Sequence, residues 1–357
     1  PAFADNNRLA YRVGLADGTG GWSDVRNVAI LPPANDEVEN GDDLDDDEPL
    51  TFLGFGDMGV SAAQQSASTI LWGLKDVVDA SARFALHFGD LGYACGVGLI
   101  WDAWHSMIEP LSSRIPYLVS MGNHEFVWAE SYVQGHDSGG ECGVPVEKRF
   151  RGPSNGEGIL WYSFSSGPVH VVMLSTEHDL TPGSEQYAWF EKDLAAAAQQ
   201  RAAGAVPWIV VTAHRMLYTT QLCEDADFER AASLRQALDP LLSRYKVNLM
   251  LVGHQHSYER TCAIINGTCN SAEVGDDGDE NGNIYGNGIG TVHAVVGSAG
   301  ATLEKCGFSS LNGVFDIAHA NMWGYARMTA TRSTFTFQFI SNNDGSIYDE
   351  VQLTPWG

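Results

Sequence analysis

Two aspartates, a tyrosine, an asparagine and three histidines stand at or just beyond the ends of five short apolar runs, where each could give an oxygen or nitrogen atom to a metal ion. LTFLGF leads into Gly56-Asp57-Met58-Gly59, RFALHF into Gly89-Asp90-Leu91-Gly92-Tyr93, and IPYLVSM into Gly122-Asn123-His124-Glu125. WIVVTA ends at His214, and VNLMLV runs into Gly253-His254-Gln255-His256. Gathered in one crevice, these seven side chains make a site for two cations. Two cations roughly 3.5–4 Å apart bind phosphate oxygens, polarise phosphorus and turn a bound water into hydroxide for in-line attack. His124, next to Asn123 but outside the seven, is open to two readings, an acid–base group facing the cations or a hydrogen-bonding structural histidine. Glu125 is open to two readings, a partner that orients His124 or a purely structural carboxylate.

The elements that must position these residues are legible from periodicity. Short apolar runs bounded by glycine read as buried strands of a covered sheet. Open α/β sheets take ligands beyond the carboxyl ends of their strands, so five such ends should converge. From Leu50 the order is strand, helix, strand, helix, strand, with helices over 61–79 (Ile70, Leu71, Leu74 and Val77 on one side) and 99–111. Residues 126–158, including SGGECGVP, read as irregular. A hairpin over 161–175 turns at Ser166-Gly167-Pro168, and Ser184 is a helix N-cap with Tyr187, Phe190 and Leu194 facing inward. A second βαβ passage spans 208–252, with its helix over about 228–245. Four strand-like runs after Thr291 are expected to extend or pair a second sheet, giving two sheets packed face to face with helices outside.

Upstream, Leu9–Gly14 and Trp22–Ile30 alternate like strands around a GTGG turn. Two strands alone are marginal in water, so they belong to a larger β-domain or lean on the main one. Pro32-Pro33 and the acidic run after it read as a linker. The formal charge of −25 is largely local: Asp36–Glu48 carries nine acidic side chains and Glu273–Glu280 five more. Such tracts are most simply solvated segments, and the balance argues against nucleic-acid backbones as partners. It leaves room for a small phosphate ester, because bound cations override the local field. No stretch approaches the roughly 20 apolar residues of a membrane span.

The six cysteines form no CxxC pair, and Cys262 and Cys269 bracket a loop holding the sequon Asn266-Gly267-Thr268. An even cysteine count beside a sequon favours an oxidising, secretory setting over cytosolic thiols. The chain begins at Pro1, so the lack of a visible signal peptide carries no weight.

Taken together, GDMG at 56–59, GDLGY at 89–93, GNHE at 122–125, VTAH at 211–214 and GHQH at 253–256 resemble the purple acid phosphatases of the calcineurin-like metallophosphoesterase superfamily. The resemblance runs over about residues 50–355. It implies an α/β fold, a four-layer α/β/β/α sandwich of two mixed sheets flanked by helices. It also implies that residues 1–32 end a fibronectin-III-like β-sandwich domain, that 33–49 is the acidic linker and that 50–357 is the catalytic domain. Asp57, Tyr93 and His256 would bind one metal, Asp90 would bridge, and Asn123, His214 and His254 would complete the second site. Carboxylate and phenolate suit Fe(III) in the first site; neutral imidazoles and an amide suit divalent Zn, Mn or Fe in the second. The implied activity is acid hydrolysis of phosphate monoesters with His124 assisting the leaving group, by a secreted or vacuolar/lysosomal glycoprotein.

One departure matters. Plant members carry histidines a few residues after the VxxH ligand; here that stretch is Thr219-Thr220-Gln221-Leu222-Cys223-Glu224. The AHRMLY run instead resembles the AHR-type branch, which includes nucleotide phosphodiesterases, so a nucleotide phosphodiesterase or pyrophosphatase is the alternative, and a non-catalytic phosphate-binding relative the third. Arg215 is read either as a contact for a second phosphate or as an ordinary salt bridge. Tyr258, Glu259 and Arg260 are read as structural, and His87, His105, His136, His170, His178, His293 and His319, which lack ligand spacing, as structural or exposed. The SGGECGVP loop either lines the pocket or packs through Cys142 in a disulfide.

Overall fold

The computed structural model describes residues 8–14, 21–31, 48–60, 65–126, 137–153, 155–221, 225–270, 284–285, 290–309 and 318–356. A ribbon of β1 (Arg8–Tyr11) and β2 (Arg26–Ala29) comes first, followed by β3 (Leu50–Phe55), α1 (Ser66–Asp79), β4 (Ala85–Phe88), α2 (Gly98–Ser112) and β5 (Tyr117–Ser120). Next are α3 (Val144–Arg149), β6 (Tyr162–Ser166), β7 (Val169–Met173), α4 (Glu185–Ala202), β8 (Trp208–Ala213), α5 (Asp225–Arg244) and β9 (Leu249–Val252). The rest is β-rich: β10 (Tyr258–Ile265), β11 (Thr268–Cys269), β12 (Ile284–Tyr285), β13 (Thr291–Val296), β14 (Ala318–Ala320), β15 (Gly324–Ala330), β16 (Phe335–Ser341) and β17 (Ile347–Leu353).

Two mixed sheets result. One runs β11-β10-β13-β9-β8-β7-β6 with β14 on β10; the other runs β12-β17-β16-β15-β3-β4-β5. The period-two alternation of strand side chains explains why they stack. In β8, Trp208 and Val210 join the core between the sheets, while Ile209, Val211 and Ala213 join a second cluster with Phe190 and Leu194 of α4 and Leu238 and Leu241 of α5. β9 repeats the split, Leu249 and Leu251 inward and Met250 and Val252 toward the helices. From the opposite sheet Phe52, Phe335, Phe337 and Phe339 fill the same inter-sheet core, with Tyr258 stacked on Phe339 at 3.9 Å. Helix α4 is capped as its sequence demands, the Ser184 hydroxyl accepting from the Tyr187 N–H at 3.3 Å.

Three expectations change. β13 does not enter the second sheet; it pairs in parallel with β9 in the first, while β15, β16 and β17 extend β3. Residues 144–149 of the stretch read as irregular form α3, a short helix entered through Gly143 in the left-handed conformation with Pro145 in its first turn. Leu71 is 63% exposed; Ile70, Gly73 and Val77 carry the buried face of α1. The ribbon leans on α2, through Tyr11 to the Ser113 carbonyl and Arg26 to the Ser113 hydroxyl.

Candidate metal centre

Asp57, Asp90 and Asn123 lie just beyond β3, β4 and β5, adjacent strands of one sheet, while His214 and His254 lie just beyond β8 and β9, adjacent in the other. Backbone bonds stitch the sheets together here: the Gly56 N–H donates to Val296 at 2.9 Å and the Ala299 N–H to Gly56 at 3.1 Å. The motif glycines are needed for this approach. A Cβ at Gly122 would strike the Asp90 carboxylate, and one at Gly253 the Asp57 carboxylate. Asp57, Asp90, Tyr93 and His254 all hold positive φ, between 51° and 69°. Such backbones cost of order 1–3 kcal/mol each and persist only where surroundings enforce them.

The donor atoms fall into two groups that share Asp90. Asp90, His214 and His254 form one, and Asp57, Asp90 and His256 the other, with the donor atoms in each within 4.8 Å of one another. Asn123 Oδ1 lies 2.9 Å from both His214 Nε2 and His254 Nδ1, and Tyr93 Oη lies 2.8 Å from His256 Nε2 and 3.2 Å from Asp57 Oδ1. All seven sequence-expected residues therefore sit in one place.

Hydrogen bonding on the far side of each ring fixes which nitrogen faces inward. The carbonyl oxygens of Phe88 and Thr302 can only accept, so His214 Nδ1 (3.1 Å) and His256 Nδ1 (2.7 Å) carry protons and present Nε2 to the centre. For His254 it is Nε2 that faces away, 3.0 Å from Oδ1 of Asp227 at the start of α5 and 3.2 Å from Arg215 Nη1, so Nδ1 faces inward. Asn123 gives its amide N–H to Asp137 Oδ2 at 3.1 Å, which turns Oδ1 inward. Three acceptor atoms, Asn123 Oδ1, His214 Nε2 and His254 Nδ1, thus point at one another. Only a proton or a cation between them relieves that, so the donor set fits a metal ion.

The electrostatics agree. Burial opposes charge on His214, but the Asp90 carboxylate overrides it and raises the imidazole to about 10. Burial likewise opposes charge on His256, yet Asp57 lifts it to about 9. Asp90, despite burial, is held well below the ordinary carboxylate range by His214 and His124. Burial and the Asp57 and Asp90 carboxylates push the Tyr93 phenol well above its usual value, so it ionises only against a strong positive charge.

Asp90, Asn123, His254 and His256 line a cavity of about 450 Å³ together with His124, Asp137, Arg215, Asp227, Gln255, Glu304, Lys305 and Cys306. His124 donates from Nδ1 to the Asp137 carbonyl at 2.9 Å, leaving Nε2 3.9 Å from Asp90 Oδ2. Glu125 does not orient it. Its carboxylate accepts from the N–H groups of Asp90 (2.8 Å), Leu91 (2.8 Å) and Gly122 (3.0 Å), locking two ligand loops together. Arg215 takes the salt-bridge reading, to Glu177 at 2.8 Å and Asp227 at 3.4 Å.

Thr219 and Thr220, of the stretch after His214, are buried and bonded to Glu259, and neither lines the cavity. Cys142 is a free, exposed thiol, so that loop is not pinned through it. Cys262 and Cys269 are joined, and Cys306 is also disulfide-bonded. Neither donor group contains any other described histidine; His136 lies outside the described residues. Sequence reasoning missed Asp137 and Asp227, which follow no strand and carry no motif.

Family models agree with this architecture. Residues 50–258 match the model for calcineurin-like phosphoesterases, and 290–350 match "Iron/zinc purple acid phosphatase-like protein C". The chain is 32% identical to "Probable inactive purple acid phosphatase 9" of Arabidopsis thaliana, over 98% of its own length and 55% of that relative's. It is 31% identical to a nucleotide pyrophosphatase/phosphodiesterase of Hordeum vulgare, over 75% of this chain and 70% of that one. The solved structure of a purple acid phosphatase from yellow lupin (Lupinus luteus) seeds superposes with a TM-score of 0.80 at 31% identity, covering 97% of this chain and 59% of the lupin chain. Fold and site thus define a calcineurin-like phosphoesterase, and within that class the chain belongs to the purple acid phosphatase family. It spans about half the length of the first curated relatives it matches.

Proposed function

We propose that this protein hydrolyses phosphate monoesters at a dinuclear metal centre, in an oxidising, secretory compartment. The observation that carries the reading is the pair of donor groups sharing Asp90 at the floor of an open cavity with His124 beside them. Asp57, Asp90, Tyr93 and His256 offer three anionic oxygens and one imidazole, a set suited to Fe(III). Asn123, His214 and His254 offer neutral donors beside the shared carboxylate, suited to divalent Zn, Mn or Fe. When bound, the cations supply Lewis acidity toward phosphoryl oxygens and lower the pKa of water.

The chain's own residues do the rest. Asp227, Phe88 and Thr302 hold the imidazoles in the tautomer that faces the centre. His124, with Nδ1 anchored on Asp137, presents Nε2 to the cavity, where it can bind the phosphoryl group and hand a proton to the departing alkoxide. The joined Cys262 and Cys269 support the secretory assignment.

Two competing readings rest on the relatives' names. The barley relative is named for nucleotide diester and pyrophosphate cleavage, and the Arabidopsis one is named probable inactive. The test is a substrate panel at several pH values: p-nitrophenyl phosphate, its bis-ester and ATP, on protein of measured metal content. Preferred turnover of the monoester supports the proposal. Preference for the bis-ester or ATP transfers the assignment to the phosphodiesterase reading, and no turnover by a fully metal-loaded protein leaves a phosphate-binding relative.

A further inference from the structure

The sequon Asn266-Gly267-Thr268 lies far from the metal centre and plays no part in the chemistry above. It forms the tip of the β10–β11 hairpin, where Ile265 pairs with Thr268 and Ile264 with Cys269. Asn266 (φ 48°) and Gly267 (φ 76°) are the two central residues of a tight turn that needs both in the left-handed region. All three sequon residues are exposed, and among the described residues the Asn266 side-chain amide makes no hydrogen bond. Its backbone N–H reaches Ser243 Oγ at 3.4 Å. The Cys262–Cys269 disulfide closes the hairpin stem just below. β10 begins two residues past His256 and runs for eight, so at about 3.3 Å per residue the tip stands roughly 25 Å from the centre.

We propose that Asn266 is an N-glycosylation site, modified before the Cys262–Cys269 disulfide closes the hairpin that carries it. In the transfer, Asn266 Nδ2 forms a bond to the anomeric carbon of an oligosaccharide carried on a polyprenyl pyrophosphate lipid. The anomeric C–O bond breaks, the lipid pyrophosphate leaves with the electron pair, and the amide gives up one proton; nothing is oxidised or reduced. The transferring enzyme must read Asn266 and the Thr268 hydroxyl along an accessible segment. In the folded protein that segment is bent into a two-residue turn, with Thr268 held in register opposite Ile265. Glycan transfer and hairpin closure therefore compete, and the disulfide decides the race. Once attached, the glycan projects into solvent at the opposite end of β10 from the cavity, so occupancy does not change turnover.

The experiment is secretion of the chain from a eukaryotic host. Peptide mapping follows enzymatic deglycosylation in heavy-oxygen water, with the Cys262–Cys269 bond scored in the same digest. The expected result is a glycan-sized mass loss and heavy-oxygen aspartate at position 266. The modification should disappear in Thr268→Ala, return in Thr268→Ser, and rise in occupancy in the Cys262→Ser/Cys269→Ser double variant. Unmodified Asn266, or only ordinary-oxygen aspartate from spontaneous Asn-Gly deamidation, in chains whose Cys262–Cys269 bond is formed would overturn the site. Unchanged occupancy in the double variant would overturn the competition, and if that variant is not secreted, adding a reductant during synthesis provides the same comparison. Because the readout is a mass rather than turnover, its failure is separable from failure of the phosphatase proposal.

Discussion

His124 has one ring nitrogen committed to the Asp137 carbonyl and the other turned to the cavity. If that nitrogen protonates the leaving oxygen, His124→Ala should lower kcat by roughly a hundredfold or more for alkyl phosphates. The loss should shrink for p-nitrophenyl phosphate, whose phenolate leaves without help; equal losses for both would restrict the residue to binding. Protonation of the ligand imidazoles gives a second test. His214 at about 10 and His256 at about 9 are both charged at neutral pH in the metal-free protein. Metal must displace those protons and the Tyr93 phenol proton, so affinity should fall as pH drops. Calorimetry in two buffers of different ionisation enthalpy should show net proton release on loading. Buffer-independent heats would contradict it. At this scale the ligand types were legible because each stands at or just beyond the end of an apolar run, five of the seven directly after a glycine. Glu125 was not resolved, because three residues of sequence do not reveal which backbone N–H groups a carboxylate will meet.

Helix α5 supplies Asp227, the partner of His254, and thereby ties a helix on the outer layer to a ligand between the sheets. Asp227→Ala should weaken metal retention about 10–100-fold, measured as metal remaining after chelator challenge. The loss should fall on the ion held by His254, while the tyrosinate absorption of the other site survives. Loss of both ions together would mean that α5 supports the whole loop system instead. The strands were readable from their runs and terminal glycines. The partnership of β13 with β9 was not, because a parallel neighbour is chosen by the crossover and not by the strand's own pattern. α3 escaped notice because six residues are too few for a 3.6-residue period to emerge. Asp227 lies in the first turn of its helix and follows no strand, so only the folded arrangement reveals it.

Across the whole molecule, apolar side chains, the backbone bonds beside the metal centre and a largely buried ion pair join the two sheets. Arg260 of β10 binds Asp349 of β17 through two bonds, at 2.6 and 2.9 Å, and Tyr258 Oη donates to the same carboxylate at 2.5 Å. Removing one partner of such a pair leaves the other charge buried, so Asp349→Ala should cost roughly 3–5 kcal/mol, measured by denaturant unfolding. Burial works to raise the Asp349 pKa, but Arg260 prevails and holds it below the usual value. Its contribution is therefore complete above the unfolded-state pKa near 4 and is lost as pH falls through the lower folded value. The wild-type protein should keep this bridge at mildly acidic pH and lose it only below about pH 4, while the variant should show a flatter acid limb. An identical acid limb in both would remove Asp349 from the account. The sandwich was legible as a class from the alternation of strands and helices, whereas Arg260 and Asp349 sit 89 residues apart with nothing in either neighbourhood to announce the pair.

The most direct test of the central claim is metal analysis combined with visible absorption on the purified holoprotein and on Tyr93→Phe. The account predicts two metal ions per chain, one of them iron, and a visible charge-transfer band that vanishes in Tyr93→Phe while both ions remain. A colourless wild-type protein carrying iron, or a band that survives the substitution, would contradict it.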